Sequence, residues 1–518
     1  MSTVTVPTPE TASVFHWTGM LADACCPIML VGNAGCGKTQ LVQGLLARQD
    51  KTLKFDLTVN FNFYTNADLL KRTLEGPLEK KTGTTFAPKG QAGMIYFLDD
   101  LNLPEVDEYN TQSAISLVRQ HLDYNHWYDM TKITCRTIDR AQFVACMNHT
   151  AGCFEINPRL QRHFATFAIG FPGPTSLLTI YQTFLDGHLQ NFPDAIKEMS
   201  SSLINAALGL HQVVSQKFRK TAKNFHYEFN VRHVSNVFQG ILTAKPDEFR
   251  KPMKMVELWL HESERVYGDR LVSYEDLKIY KKDAQAQVKR RFQQFNLTKY
   301  FAGDDSDPLI FCHDSEGVYN QVKSIQSLTD TMKKALKEYN ETNATMDLVL
   351  FEDAVKHIAR IMRIVLNPGG HALLVGVGGM GKQSLSKLAA HVCQYTTKSI
   401  TLTSTYSTTD FKQDIADMYM KAGVKDEGIL FLFTDSQIAD ERFLVFLNDL
   451  LASGEIPDLF PPEDIDNIVN GVTSKVKSAG IVPSRENCWT FFIQEVKKNL
   501  HMSMCFSPVG DDLKTRGK

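Results

Sequence analysis

The chain has almost no net charge: 56 lysines and arginines stand against 58 aspartates and glutamates, which leaves −2. No strong field therefore draws nucleic acid or an anionic membrane surface to the chain as a whole. Long apolar runs are also missing. Stretches such as Ile429 to Phe433 are far too short to span a bilayer, and Met1 to Glu10 is polar and proline-bearing, so neither a membrane anchor nor a secretory leader is expected. The ten cysteines contain no C-x-x-C pair. Adjacent Cys25-Cys26, and Cys36 inside a glycine-rich loop, suit a reducing compartment better than a disulfide framework, and no zinc site is expected. What remains, 43% hydrophobic and 22% charged residues over 518 positions, is ordinary globular usage. It is enough chain for about three or four domains.

Two glycine-rich loops carry the first chemical signal. Gly32, Asn33, Ala34, Gly35, Cys36, Gly37, Lys38 and Thr39, followed by Gln40, form a complete G-x-x-x-x-G-K-[ST] phosphate loop. Gly376 to Gln383 reads GVGGMGKQ, the same loop with its last residue changed, and Ser384 follows. Glycines let consecutive backbone N–H groups turn inward around phosphates, and the next helix adds its positive N-terminal end. Lys38 or Lys382 would reach the β and γ phosphates, and the Thr39 hydroxyl would complete the coordination of Mg²⁺. Gln383 cannot serve as a hydroxyl or anionic ligand would. Each loop follows a short apolar run of buried-strand type, Pro27 to Val31 and His371 to Val375, and precedes a helical pattern. The nucleotide-binding candidates are therefore the whole first loop with Gln40 and, in the second, Gly376, Gly379, Gly381, Lys382, Gln383 and Ser384.

Along the chain, apolar strand-like runs alternate with helical stretches from about residue 27 to 170, the signature of a parallel sheet with crossover helices. Phe171-Pro-Gly-Pro174 breaks this pattern. From Thr175 to about Leu336 helical periods dominate, as in Leu203 to Phe218 and Tyr280 to Gln294, which predicts an α-helical companion domain. Near Leu348 the alternation resumes and runs to Lys518 with the second sheet unfinished. Expected domains are a large α/β domain over 1–172, a helical domain and connector over 173–345, and a second α/β domain over 346–518. Leu78 to Ala87 and Tyr124 to Ile138 are candidate β-hairpin insertions.

Other parts of an ATPase site follow the first loop in order. Met94 to Asp99 and Asp100 is an apolar strand ending in two carboxylates. Asp99 would hold the Mg²⁺ water shell, and Asp100 would orient or deprotonate the attacking water, although it is one methylene shorter than the Glu usual there. The strand Gln142 to Met147 delivers Asn148 at its carboxyl end, where open α/β sheets place ligand-contacting groups. Its amide can accept from water and donate to the γ-phosphate. Asn157-Pro-Arg159-Leu-Gln-Arg162 and Phe229-Asn-Val-Arg232 add arginines, whose planar forks neutralise spreading phosphate charge.

These residues resemble a known family. The strings FLDDLNLPEVDEYNTQSAISLVRQ, FEINPRLQRHF, FPGPTSLLTIYQTF, FHYEFNVRHVSNVFQG and LWLHESERVYGDRL look like the third AAA+ module of dynein heavy chains. HALLVGVGGMGKQSLSKLAA and NDLLASGEIPDLF resemble the fourth, and the spellings GKQS and DDLNLP look axonemal rather than cytoplasmic. The resemblance implies P-loop AAA+ modules, parallel sheets with helices on both faces, with an α-helical lid domain between them. It also implies a piece of a microtubule-walking ring ATPase of cilia and flagella. ATP or ADP with Mg²⁺ would be the cofactors. Partners would be the other AAA+ modules of the same heavy chain, with intermediate chains, light chains and microtubules bound through regions outside this sequence. No nucleic acid or membrane partner is expected. Carried over, the resemblance makes Asn148 the first sensor and Arg232 the second, which reads the γ-phosphate from the lid. Arg159 or Arg162 falls where a finger would point at the neighbouring module's nucleotide, and Val6, Pro7 and Thr8 fall near adenine.

The second site departs from a working hydrolase at three positions. Gln383 replaces the magnesium hydroxyl, Ser436 follows the candidate metal carboxylate Asp435 where a catalytic Glu belongs, and Ser507 stands where the sensor amide would be. Ser436 cannot act as a general base at neutral pH, so turnover there should lose on the order of 10²–10⁴-fold. Arg516 lies near the place from which a finger for the first site would come, so an isolated chain is expected to hydrolyse ATP well below about 10 s⁻¹. The competing expectations are a non-catalytic nucleotide-binding scaffold and a different AAA+ machine, such as a ribosome-assembly or chaperone ring.

Overall fold

The structure, a computed structural model, describes residues 5–149, 154–301, 309–313, 317–456, 459–510 and 513. Arg516 lies outside the described residues. The chain divides into two compact units, Met1–Phe295 and Asn296–Lys518.

In the first unit the strands are β1 (Ile28–Val31), β2 (Lys54–Asn60), β3 (Leu78–Lys80), β4 (Thr85–Pro88), β5 (Gly93–Asp99), β6 (His126–Asp129), β7 (Thr134–Ile138), β8 (Ala141–Met147) and β9 (Ala165–Ala168). Five of them form a sheet in the order β2-β5-β8-β1-β9, and every neighbouring pair is parallel. Helices cover both faces, so the central strands read as nearly continuous apolar runs rather than alternating ones. Met94 to Leu98 of β5 and Gln142 to Cys146 of β8 are all buried. Side chains still alternate between the faces. Ile28, Leu30, Ile95, Phe97 and Val144 pack on Leu41, Val42, Leu45 and Leu46 of the helix Lys38–Arg48, whereas Met29, Tyr96, Leu98 and Phe143 join the opposite cluster with Leu70, Ile115 and Val118.

Both candidate insertions are hairpins. β3 with β4 and β6 with β7 are antiparallel, and β4 pairs parallel with β7, so the two merge into one sheet in the order β3-β4-β7-β6. Five long helices then follow, Pro174–Leu189, Ser200–Lys217, Val231–Ile241, Pro252–Val266 and Tyr274–Arg291. Leu203, Leu210, Phe238, Trp259 and Tyr267 are buried among them.

In the second unit a two-stranded hairpin of β10 (Phe311–His313) and β11 (Tyr319–Gln321) comes first. It lies inside the region expected to be helical, and its three-residue strands are too short to show a period. The helix Ile325–Thr342 and Glu352–Val365 follow, and Leu328 and Met332 pack with Ile358, Met362 and Leu388. The described residues of 296–345, which the sequence pattern groups with the helical domain, fall in the second unit by packing. The large sheet has four parallel strands in the order β12-β15-β14-β13, namely β12 (Ala372–Val375), β13 (Thr396–Lys398), β14 (Ile429–Thr434) and β15 (Leu500–Phe506). β12 is an edge strand, and Leu373 and Val375 on it are 53% and 48% exposed. Its counterpart β1 is flanked on both sides.

Candidate functional site

The two loops share one backbone solution. Gly35 and Gly37 have φ of +82° and +92°, and Gly379 and Gly381, at the same positions of the second loop, have +80° and +75°. Only glycine enters this left-handed region without strain, which is why the spacing is legible in sequence. Gly32 has a further reason: a Cβ there would stand 2.2 Å from the carbonyl oxygen of Ile169, whose own N–H bonds to Val31.

In the first loop Lys38 is buried, and its ammonium donates to the carbonyls of Gly32 (2.8 Å) and Asn33 (2.9 Å). Thr39, one residue into the helix, donates its hydroxyl to Oδ2 of Asp99 at 2.9 Å. Asp99 therefore ends β5 directly opposite the loop's hydroxyl, the arrangement that suits a hard cation with oxygen ligands. Burial pushes the Asp99 carboxyl up to about 6, Asp100 adds to the rise, and the Thr39 hydrogen bond opposes it. Asp100 sits at φ +54° just past the strand. Burial raises its carboxyl too, while the charges of Lys38 and Arg232 pull it down. Asp100 therefore feels both cations at once.

Arg232 arrives from the helical part. Asn230 caps the helix Val231–Ile241, its Oδ1 accepting from the Arg232 N–H at 3.0 Å, and its side chain lies 3.1 Å from where a Cβ on Gly35 would stand. The capped helix end thus rests on the phosphate loop. Asn148 follows β8, and its carbonyl accepts from Nδ2 of Asn102 at 2.7 Å. Val6 and Thr8 are buried, Pro7 is exposed, and Thr8 caps the helix Pro9–Asp23.

Arg159 and Arg162 are not brought to this loop. Both are exposed and line a separate cavity of about 1120 Å³ with Lys71, Arg119 and Asp123. Asp123 accepts from Arg162 at 3.0 Å and faces His163 Nε2 at 2.9 Å. A sizeable concavity of the first unit therefore lies on the candidate finger face.

The second loop keeps the lysine contacts and loses the rest. Lys382 donates to the carbonyls of Gly376 and Val377, but it is only half-buried. Gln383 is exposed, and among the described residues neither it nor Ser384 bonds to Asp435. Asp435 instead accepts the backbone N–H groups of Ser436 (2.9 Å) and Ser507 (3.0 Å). Its two oxygens tie down their own turn and the end of β15.

Comparisons with known proteins place both loops in matched family segments. Residues 1–172 match the family described as P-loop containing dynein motor region, 346–518 match P-loop containing dynein motor region D4, and 203–302 match the AAA+ lid domain. The chain is similar to the dynein alpha chain of the flagellar outer arm from Chlamydomonas reinhardtii, 55% identical over 100% of this chain and 12% of that protein. Dynein axonemal heavy chain 17 of Mus musculus is 47% identical over 99% of the chain, and the ciliary dynein beta chain of Tripneustes gratilla is 46% identical over 100%, each again covered to 12%. The chain belongs to the dynein heavy-chain family. It spans about an eighth of the length of these relatives.

As a dynein segment it is built of AAA+ P-loop domains that bind nucleotide. The candidates Lys38, Thr39, Asp99, Asp100 and Asn148 come from motif spacing and Arg232 from the family strings, and the structure sets Thr39 against Asp99 and both Lys38 and Arg232 near Asp100. Sequence reasoning missed Asn102, Asn230 and Asp123. Asn230 carries a signal that could have found it, an N-cap asparagine immediately before an apolar-periodic helix. Asn102 carries none, because what it bonds is far away in sequence, and Asp123 shows locally only its i,i+4 pairing with Arg119.

Proposed function

We propose that this chain forms the third and fourth AAA+ modules of an axonemal dynein motor ring, in which the first site hydrolyses ATP and the second binds nucleotide with little turnover. The carrying observation is the Thr39–Asp99 hydrogen bond, present at the first loop and without a counterpart at the second. Glycine amides and Lys38 would hold the β and γ phosphates, and Thr39 with Asp99 would hold the shell of a Mg²⁺ ion, which neutralises charge on the phosphates when bound. Asp100 orients the attacking water and takes its proton; burial raises its carboxyl, and the charges of Lys38 and Arg232 oppose that rise. Asn148 and Arg232 contact the γ-phosphate. Arg159 and Arg162, on their own face, serve as finger candidates for a neighbouring module. At the second site Lys382 with Gly376, Gly379 and Gly381 cradles phosphates, but Asp435 is occupied by backbone donors and Ser436 supplies no base.

The names of the relatives, flagellar outer arm, ciliary and axonemal, support placement in the axoneme, and the dynein motor-region match supports a part in minus-end-directed movement along microtubules. Intermediate chains, light chains and microtubules would be engaged by the parts of the heavy chain outside this sequence. Domain limits near 172 and 345 fit the matched segments, with the connector packing as part of the second unit.

Replacement of Asp100 separates a hydrolase from a scaffold. Asp100→Asn should lower single-turnover hydrolysis by about 10²–10⁴-fold while nucleotide affinity holds, and Asp100→Glu should keep or raise it. Equal rates for wild type and Asp100→Asn would leave only a binding scaffold.

A further inference from the structure

Asn102 is 97% buried on the turn after the acidic pair, since its relative exposure is 3%. Its Nδ2 donates to the carbonyl of Asn148 at 2.7 Å, and its own carbonyl accepts from the N–H of Phe154 at 3.1 Å. One residue earlier, the Leu101 N–H bonds to the carbonyl of Cys146 at 3.0 Å. The acidic turn and the end of β8 are thus stitched together, and the side chain of Asn102 makes the stitch that falls on the sensor itself. Its Oδ1 is buried with no partner among the described residues. A buried amide left half-satisfied is costly where an apolar residue would fit, and such residues persist where one polar contact has a use.

The second unit shows what happens without it. Counting three residues on from the carboxylate that ends the strand, Asp99 leads to Asn102 and Asp435 leads to Ile438. Gln437, the nearest amide, donates instead to Ser399 Oγ (2.9 Å) and Ile400 O (2.7 Å). There the turn is held to the end of β15 by Asp435 itself, through the Ser507 N–H. In the first unit an amide does the holding and Asp99 remains paired with Thr39.

We propose that Asn102 is the positioning residue of the first site: it fixes Asn148 against the acidic turn for contact with the γ-phosphate, and it leaves Asp99 available for the cation side. This rests on the reading of the first loop as an ATP site. The bond is to the backbone of Asn148, so its loss would let the sensor amide drift while the loop and Lys38 stay in place. ATP, which has a γ-phosphate, should suffer and ADP should not.

The test is a titration of the 518-residue chain with fluorescent ATP and ADP analogues in a Lys382→Ala background, so that the first loop alone reports. Asn102→Ala, Asn102→Leu and Asn148→Ala should each lower the preference for ATP over ADP by roughly tenfold, the factor that one hydrogen bond carries. ADP affinity should be unchanged, and Asn102→Ala with Asn148→Ala together should do no more than either alone. An unchanged ratio in both Asn102 variants, or additive losses in the double variant, would overturn the role. Loss of ADP binding in both Asn102 variants would also overturn it, by making Asn102 a general stabiliser. Wild-type protein that binds neither analogue would overturn the site itself.

Discussion

At the scale of single residues, Asp99 is held in an expensive state. Its carboxyl is raised from 3.8 to about 6, mostly by burial. The folded chain therefore binds more protons than the unfolded chain between about pH 4 and pH 6. Stability falls as pH rises through that window, and the deficit persists above it. Removing the charge should reverse this: Asp99→Asn is expected to stabilise the first unit at pH 7.5 by about 1–3 kcal/mol, at 1.36 kcal/mol per pKa unit, and to change little at pH 4. Thermal melts at the two pH values check it, and an equal shift at both would contradict the assignment. Such strain is characteristic of a group kept for function at the cost of stability. The motif residues could be read directly because phosphate chemistry dictates both their types and their spacing. Asn102 could not, since an asparagine after an acidic pair has the same local signature whether it faces water or a sensor.

At the scale of elements, the first loop depends on close backbone approach. β9 runs on into Ile169, and its carbonyl leaves no room for a side chain at Gly32. Gly32→Ala is expected to cost about 1–3 kcal/mol and to weaken nucleotide binding, because either the loop or the strand must move. Gly170→Ala, where nothing lies within 4 Å, is the control and should be close to neutral. Equal melting temperatures for the two variants would show that the approach is soft. The long strands β5 and β8 were legible from their uninterrupted apolar runs, and the helices Ser200–Lys217 and Tyr274–Arg291 from their period. The hairpin of β10 and β11 was not, because three residues contain no period to detect. β12 is an edge strand, and its Leu373 and Val375 are exposed.

At the scale of the whole molecule, two units carry one phosphate loop each, and no helix among the described residues is long and apolar enough to cross a membrane. The packing division falls at 295/296 while the matched segment of the second module begins at 346, since an amphipathic helix such as Ile325–Thr342 does not reveal in its own sequence which core it will join. Its buried Leu328 and Met332 decide that by packing with the second unit. The inequality of the loops is a property of their surroundings as much as of Gln383. Both carboxylates accept the N–H of the next residue, but the second oxygen of Asp99 faces the Thr39 hydroxyl, whereas that of Asp435 is taken up by the Ser507 N–H. Division of labour between the sites is most directly measured by single-turnover ATP hydrolysis of the chain with Lys38→Ala and with Lys382→Ala. Lys38→Ala is expected to remove nearly all turnover and Lys382→Ala to leave it within about twofold of wild type, while each change removes one bound nucleotide; loss of most turnover with Lys382→Ala would contradict it.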